Sequence, residues 1–270
     1  MLTLAPGLCR NRDATISREW LVTNGIGGYA MGTVAGANTR AYHGYLVAAT
    51  RPPVERTLLL QHLDERVVAD GQEWPLSTDE WADGTRTPQD WRYDPAKPAL
   101  ESFALDGTLP IWTFALPGGR LQKRLWLAHG RNTTYIQYTL LDAAAPVRLK
   151  LTLGINDRDH HGMSSDDGSS WQVAQIDGGW SICREGLSEA HAWSLLAQPF
   201  VPLNPIGAWS SPLFRRVEAE RGLDAIEQRY QLGTLAIDLE PGTTWTLIAS
   251  TESLDAIEQD AAAALRAEQT

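Results

Sequence analysis

The sequence predicts an all-β protein: a large antiparallel β-sandwich over residues 1–252, followed by a C-terminal helix over 253–270. Three observations predict it. Short β-branched and alternating runs recur from Trp20 to Thr251, separated by turn residues at the spacing of a sandwich. Asp177-Gly178-Gly179 sits between Trp171–Ile176 and Trp180–Arg184, the strongest hairpin signal in the chain. Helical periodicity is clear only at the end, where Leu254, Ile257, Ala261 and Leu265 share a face behind Ser253 as N-cap.

In order, residues 1–17 read as an irregular lead-in and 20–22 as a short strand. Residues 29–34 and 42–50 read as a hairpin pair turning at Ala35-Gly36-Ala37-Asn38. A strand over 58–69 turns at Asp70-Gly71 into 73–75. Residues 77–98 have no usable period and read as a long ordered loop, a type that is often functional. Strands resume at 99–104, 111–116, 120–128, 133–141 and 147–155, and after the 177–179 hairpin at 191–198, 213–219, 233–239 and 244–251. There is no internal repeat and no low-complexity tract.

Composition narrows the function. A net charge of −10 and a pI near 5.1 argue against nucleic-acid and anionic-membrane partners, which are held by an excess of Lys and Arg. The balance suits a cytoplasmic protein acting on a neutral substrate. Cys9 and Cys183 are far apart and read as free thiols in a reducing compartment. The N-terminus lacks a basic start before an apolar core, and no run reaches the ~18 apolar residues of a membrane helix. Eleven tryptophans fit either core anchors or a ligand platform.

The densest stretch is 18–50, REWLVTNGIGGYAMGTVAGANTRAYHGYLVAAT. Gly25, Gly27 and Gly28 allow tight backbone there, and Asn24, Arg40, Tyr42 and His43 read as a polar core that fixes the hairpin, with Arg40 pairing Glu19 or Asp64. Gly25, Gly27 and Ala30 also fit a dinucleotide fingerprint. The residues that follow are too rich in Gly and β-branched types to open a helix, and no acid lies at the required distance.

Glu19-Trp20, Thr23-Asn24-Gly25, Gly27-Gly28-Tyr29, Asn38-Thr39-Arg40 and Tyr42-His43-Gly44 together resemble the opening signature of the N-terminal domain of bacterial and archaeal type glycogen debranching enzymes. Gln122-Lys123-Arg124, Asn132-Thr133-Thr134, Arg158-Asp159-His160 and Glu240-Pro241-Gly242 extend the resemblance, which weakens from Ser165 to Pro212. It implies a β-sandwich of glucoamylase-like architecture that precedes a helical (α/α)6 barrel carrying the glycosidase carboxylates, with 253–270 leading toward that barrel. The parent reaction it implies is hydrolysis of α-1,6 branch glucose, with or without 4-α-glucan transfer, on glycogen or limit dextrin.

Candidate carbohydrate-binding residues fall in two places. Trp81, Trp91 and Tyr93 lie in the 77–98 loop, where rings can stack on the C–H faces of an α-glucan. Arg158, Asp159 and His160 end a strand and can hydrogen-bond hydroxyls. No metal is expected: His160 and His161 would alternate faces on an extended strand, and no spaced Cys or His completes a zinc set. No cofactor is expected. Neither a nucleophile elbow nor an H-E-x-x-H helix occurs, so the chain alone is expected to be inactive. Two alternatives stand beside this reading: a purely structural or interaction sandwich without sugar affinity, and a free-standing mutarotase-like enzyme.

Overall fold

The computed structural model describes residues 2–52, 54–69, 71–87 and 97–269. The lead-in is more ordered than the sequence suggests: a strand β1 (Leu2–Leu4) and two short helices, α1 (Pro6–Cys9) and α2 (Arg12–Ile16), the latter capped by Asn11 accepting from Ala14 N. The signature stretch supplies β2 (Glu19–Thr23), β3 (Tyr29–Thr33) and β4 (Gly44–Arg51). β5 (Glu55–Ala69) and β6 (Gln72–Pro75) follow, then two two-residue strands, β7 (Asp79–Glu80) and β8 (Arg86–Thr87).

The next run is β9 (Ala99–Asp106), β10 (Leu109–Leu116), β11 (Gly119–Leu127), β12 (Thr133–Leu140), β13 (Val147–Asp159), β14 (Trp171–Ile176), β15 (Gly179–Arg184) and β16 (Trp193–Gln198). The last run is β17 (Leu203–Trp209), β18 (Leu213–Phe214), helix α3 (Arg216–Glu220), β19 (Ile226–Glu227), β20 (Tyr230–Leu239), β21 (Thr244–Ser250) and helix α4 (Ala261–Glu268).

Two antiparallel sheets form the sandwich. One has the order β1-β9-β10-β11-β12-β21-β16-β15-β14; the other runs β17-β20-β13-β5-β4-β3-β2, with β6 paired to β5. Alternation puts Leu121, Leu125, Ile136, Leu149, Leu151 and Leu153 in one continuous core. The tryptophan excess goes mostly to this core: Trp20, Trp112, Trp126, Trp180, Trp193 and Trp245 are all buried. Trp20 meets Trp112 edge-on at 5.3 Å.

The core also holds charge. Lys123 of β11 lies 2.5 Å from Glu65 of β5 and donates to the Tyr45 hydroxyl at 2.7 Å, and Tyr138 donates to the same carboxylate at 2.5 Å. All four are buried, so one ion pair joins the two sheets through the apolar interior. Burial pulls the Lys123 ammonium down, but Glu65 and Tyr45 more than reverse this and leave it above the ordinary lysine value.

A second charged layer forms where 76–87 and 210–229 pack onto β5 and β13. Arg229 grips Asp79 with two bonds of 3.0 and 2.6 Å, and Arg215 and Arg158 both pair with Glu227 at 2.7 Å. Gly154 leaves room for this: a Cβ there would stand 2.6 Å from Arg229 Cδ.

Two expected elements differ, and one strand was not expected. Residues 213–219 were expected as one strand; only Leu213–Phe214 is extended, and α3 follows because Arg215 and Arg216 turn toward Glu227 and Glu80. The helix over 253–270 divides into a 3-10 turn at Leu254–Ala256 and α4. Ser253 makes no side-chain cap, whereas Asp260 accepts from Ala262 N and Ala263 N and starts the helix there. β17 was not expected, since Pro205 and Gly207 break its pattern; as an outer strand it tolerates both.

Candidate functional site

The two faces of β2 and β3 explain the site. On β2, Trp20 and Val22 point into the core and Leu21 and Thr23 point out; on β3, Ala30 is buried while Tyr29 and Met31 are half-exposed. The outward residues, with Tyr42, Arg56 and His160, line an open groove of about 520 Å³. The Tyr29 hydroxyl lies 3.0 Å from His160 Nδ1, and the Tyr42 hydroxyl lies 2.9 Å from His161 Nδ1. Tyr42 meets both imidazoles edge-on at 5.4 Å. Burial, then the neighbouring His161, lowers the His160 pKa.

The glycines of the signature shape the groove floor. Gly25 and Gly27 have φ of 80° and 102°, and a Cβ on Gly28 would stand 2.4 Å from Asn24 Nδ2. This is a strand-turn-strand with no helix, so the glycine spacing forms no dinucleotide loop. Asn24 is fully buried and donates to Arg131 O at 2.9 Å and to Asn132 Oδ1 at 3.1 Å. Asn132 in turn accepts from Ala49 N at 2.8 Å and donates to Ala49 O at 3.0 Å, which ties the groove to both sheets.

The expected polar core is three separate clusters. Asn24 belongs to the Asn132 network. Arg40 pairs with Glu19 at 2.5 Å, and His43 Nε2 lies 3.2 Å from the same carboxylate. The nearby His43 imidazole, against opposing burial, and then Arg40 bring Glu19 down to about 2. Tyr42 belongs to the groove. The separation is physical: Asn24 and Glu19 sit at opposite ends of β2.

The expected sugar residues also part. His160 lines the groove, and Asp159 is exposed beside it. Arg158 is half-buried and tied to Glu227 and to Ala41 O at 2.8 Å. Trp81 lines a different cleft of about 450 Å³ with Phe214, Arg86 and Arg216, which shares no lining residue with the groove. Its indole donates to Thr87 Oγ1 at 3.0 Å. Trp91 and Tyr93 lie outside the described residues. Leu21, Tyr29, Met31 and Arg56 were missed as groove residues, although the period-two alternation of 19–23 and 29–33 carried the signal for three of them.

Two fully buried histidines give a pH dependence. Burial, then Arg229, pushes His62 down to about 3, and burial lowers His43. In the unfolded chain both titrate near 6.5, so between pH 6.5 and 3 the unfolded state binds more protons and stability falls on acidification. Going from pH 7 to 5 is expected to cost about 2 kcal/mol through His62 alone. Urea unfolding at the two pH values checks this, and a midpoint that does not fall on acidification contradicts it.

Two packed antiparallel sheets with an open groove beside β2 and β3 define a large β-sandwich domain. The sequence model described as glycogen debranching enzyme N terminal matches residues 18–246. The chain therefore belongs to the family of glycogen debranching enzyme N-terminal domains. Among solved structures it is similar to a bacterial glucoamylase complexed with acarbose, at 8% identity and a TM-score of 0.40. That likeness covers 98% of this chain and 33% of the glucoamylase, so the chain spans about a third of its length. Among curated proteins, none matches this sequence. No helix among the described residues is long and apolar enough to cross a membrane.

Proposed function

We propose that this domain works beside a catalytic (α/α)6 barrel in a debranching enzyme, where it packs on the barrel and shapes the cleft for an α-glucan such as glycogen or limit dextrin. The carrying observation is the groove built by the family's signature residues. It combines exposed apolar surface on Leu21 and Met31, aromatic edges on Tyr29 and Tyr42, and the imidazole of His160. Glucose rings need that mixture: apolar C–H faces to stack, with polar groups at fixed positions for hydroxyls. Trp81 with Arg86 offers a second contact surface of similar chemistry. The α4 end lies close by, since His129 N donates to Glu268 Oε1 and Gly25 abuts the His129 ring, so the groove borders the face from which the barrel would follow.

The reading assigns hydrolysis to the barrel and a cytoplasmic setting to the enzyme. The chain is expected to bind maltooligosaccharides weakly and saturably and to release no glucose from limit dextrin. Glucose release by the pure 270-residue chain, sustained through further purification, would overturn the assignment.

A further inference from the structure

We infer that Asp159, His160 and His161 form a binding site for a divalent transition-metal ion such as zinc. On an ideal strand the two imidazoles would face opposite ways. Here β13 ends at Asp159 and the chain turns, so the two rings lie side by side with centroids 4.1 Å apart. One donor atom from each of the three residues lies within 4.8 Å of the others, and among the described residues they are the one group of three or more metal-ligating side chains so placed.

The surroundings of the rings suit an ion. Metal-bound histidines use one nitrogen on the metal and donate the other N–H to a fixed partner. Each ring has that partner on Nδ1: the Tyr29 hydroxyl for His160 and the Tyr42 hydroxyl for His161. With the proton on Nδ1 donated to the tyrosine oxygen, the Nε2 lone pairs remain for the ion. Asp159 is positioned by accepting from His161 N through Oδ1 at 2.8 Å, which leaves its other oxygen for coordination. Two cations stand near: Arg158 pairs with Glu227 at 2.7 Å, a carboxylate it shares with Arg215, and Arg56 of the groove donates to Gly27 O at 2.5 Å.

Ligands on zinc at about 2.1 Å stand roughly 3.5 Å apart, so the exposed Asp159 and His161 side chains need to close by about an ångström onto the buried His160. Three protein ligands leave a fourth position to water, and imidazole with carboxylate suits zinc, cobalt or nickel.

The test uses the untagged full chain, stripped with EDTA, dialysed and titrated with zinc by calorimetry, with cobalt absorption as a check on geometry. One ion per chain is expected. Tyr42→Phe keeps the ring, removes the hydroxyl and is expected to weaken binding about 10- to 100-fold. His161→Ala and Asp159→Asn alter exposed positions and are expected to weaken it further, with the thermal unfolding of the metal-free variants unchanged. An absence of binding by the parent chain, or the same single site in His161→Ala, overturns the inference.

Discussion

Replacing Lys123 with methionine is expected to cost about 3–5 kcal/mol, because Glu65 is then left ionised and unpaired between the two sheets. The variant is expected to unfold at much lower urea, if it folds at all. The informative comparison is the double variant Lys123→Met with Glu65→Leu. Removing both charges ends the uncompensated burial, so most of the loss returns. A residual deficit of about 1–3 kcal/mol is expected, since the Tyr45 and Tyr138 hydroxyls lose their partners. In a double-mutant cycle the pair shows strong coupling. Simple additivity of the two single losses would contradict a direct ion pair.

The second large effect is expected at Asn132. Its side chain makes a two-way bond with the Ala49 backbone and accepts from Asn24, whereas its backbone N–H, which alanine keeps, donates to Glu252 at 2.9 Å. Asn132→Ala leaves several buried groups unpaired, each worth about 1–3 kcal/mol. A total near 3–5 kcal/mol is expected, measured by equilibrium unfolding. Asn132→Asp keeps the acceptor for Ala49 N and Asn24 but sets an oxygen against Ala49 O, so it is expected to lose stability too. The solvent-exposed turn substitution Thr108→Ala serves as the control and is expected to change stability by less than about 0.5 kcal/mol. Equal stability of Asn132→Ala and that control would contradict the role given to the asparagine network.

The sheet outline was legible in the sequence because the code for it is local. Alternation and turn residues fixed most strands from 19 to 250, and the hairpin at Gly178, with φ of 71°, lies where its dipeptide put it. The parts that were not legible depend on partners far along the chain. Arg215 and Arg216 end a strand and open α3 because Glu227 and Glu80 await them, 12 and 136 residues away. Arg158 is drawn inward by Glu227 for the same reason.

Lys123 was half legible: it stands in the inward register of Leu121 and Leu125, yet nothing local identified Glu65 as its counter-ion. The side-by-side placement of the histidine rings was not legible because the spacing argument assumed an extended strand. β13 shifts register against β5 at Gly154/Ile155 and at Ile155/Arg158, then turns after Asp159, and such irregularities have no sequence period.

The groove of the signature stretch as an α-glucan contact is tested most directly by titrating maltoheptaose into the parent chain and Tyr42→Ala, reading heat or intrinsic fluorescence. The expected result is a weak, saturable signal with the parent chain that is lost or strongly reduced in the folded variant. Silence with the parent chain would contradict sugar affinity and leave a scaffolding sandwich, and unchanged binding by Tyr42→Ala would move the contact away from this groove.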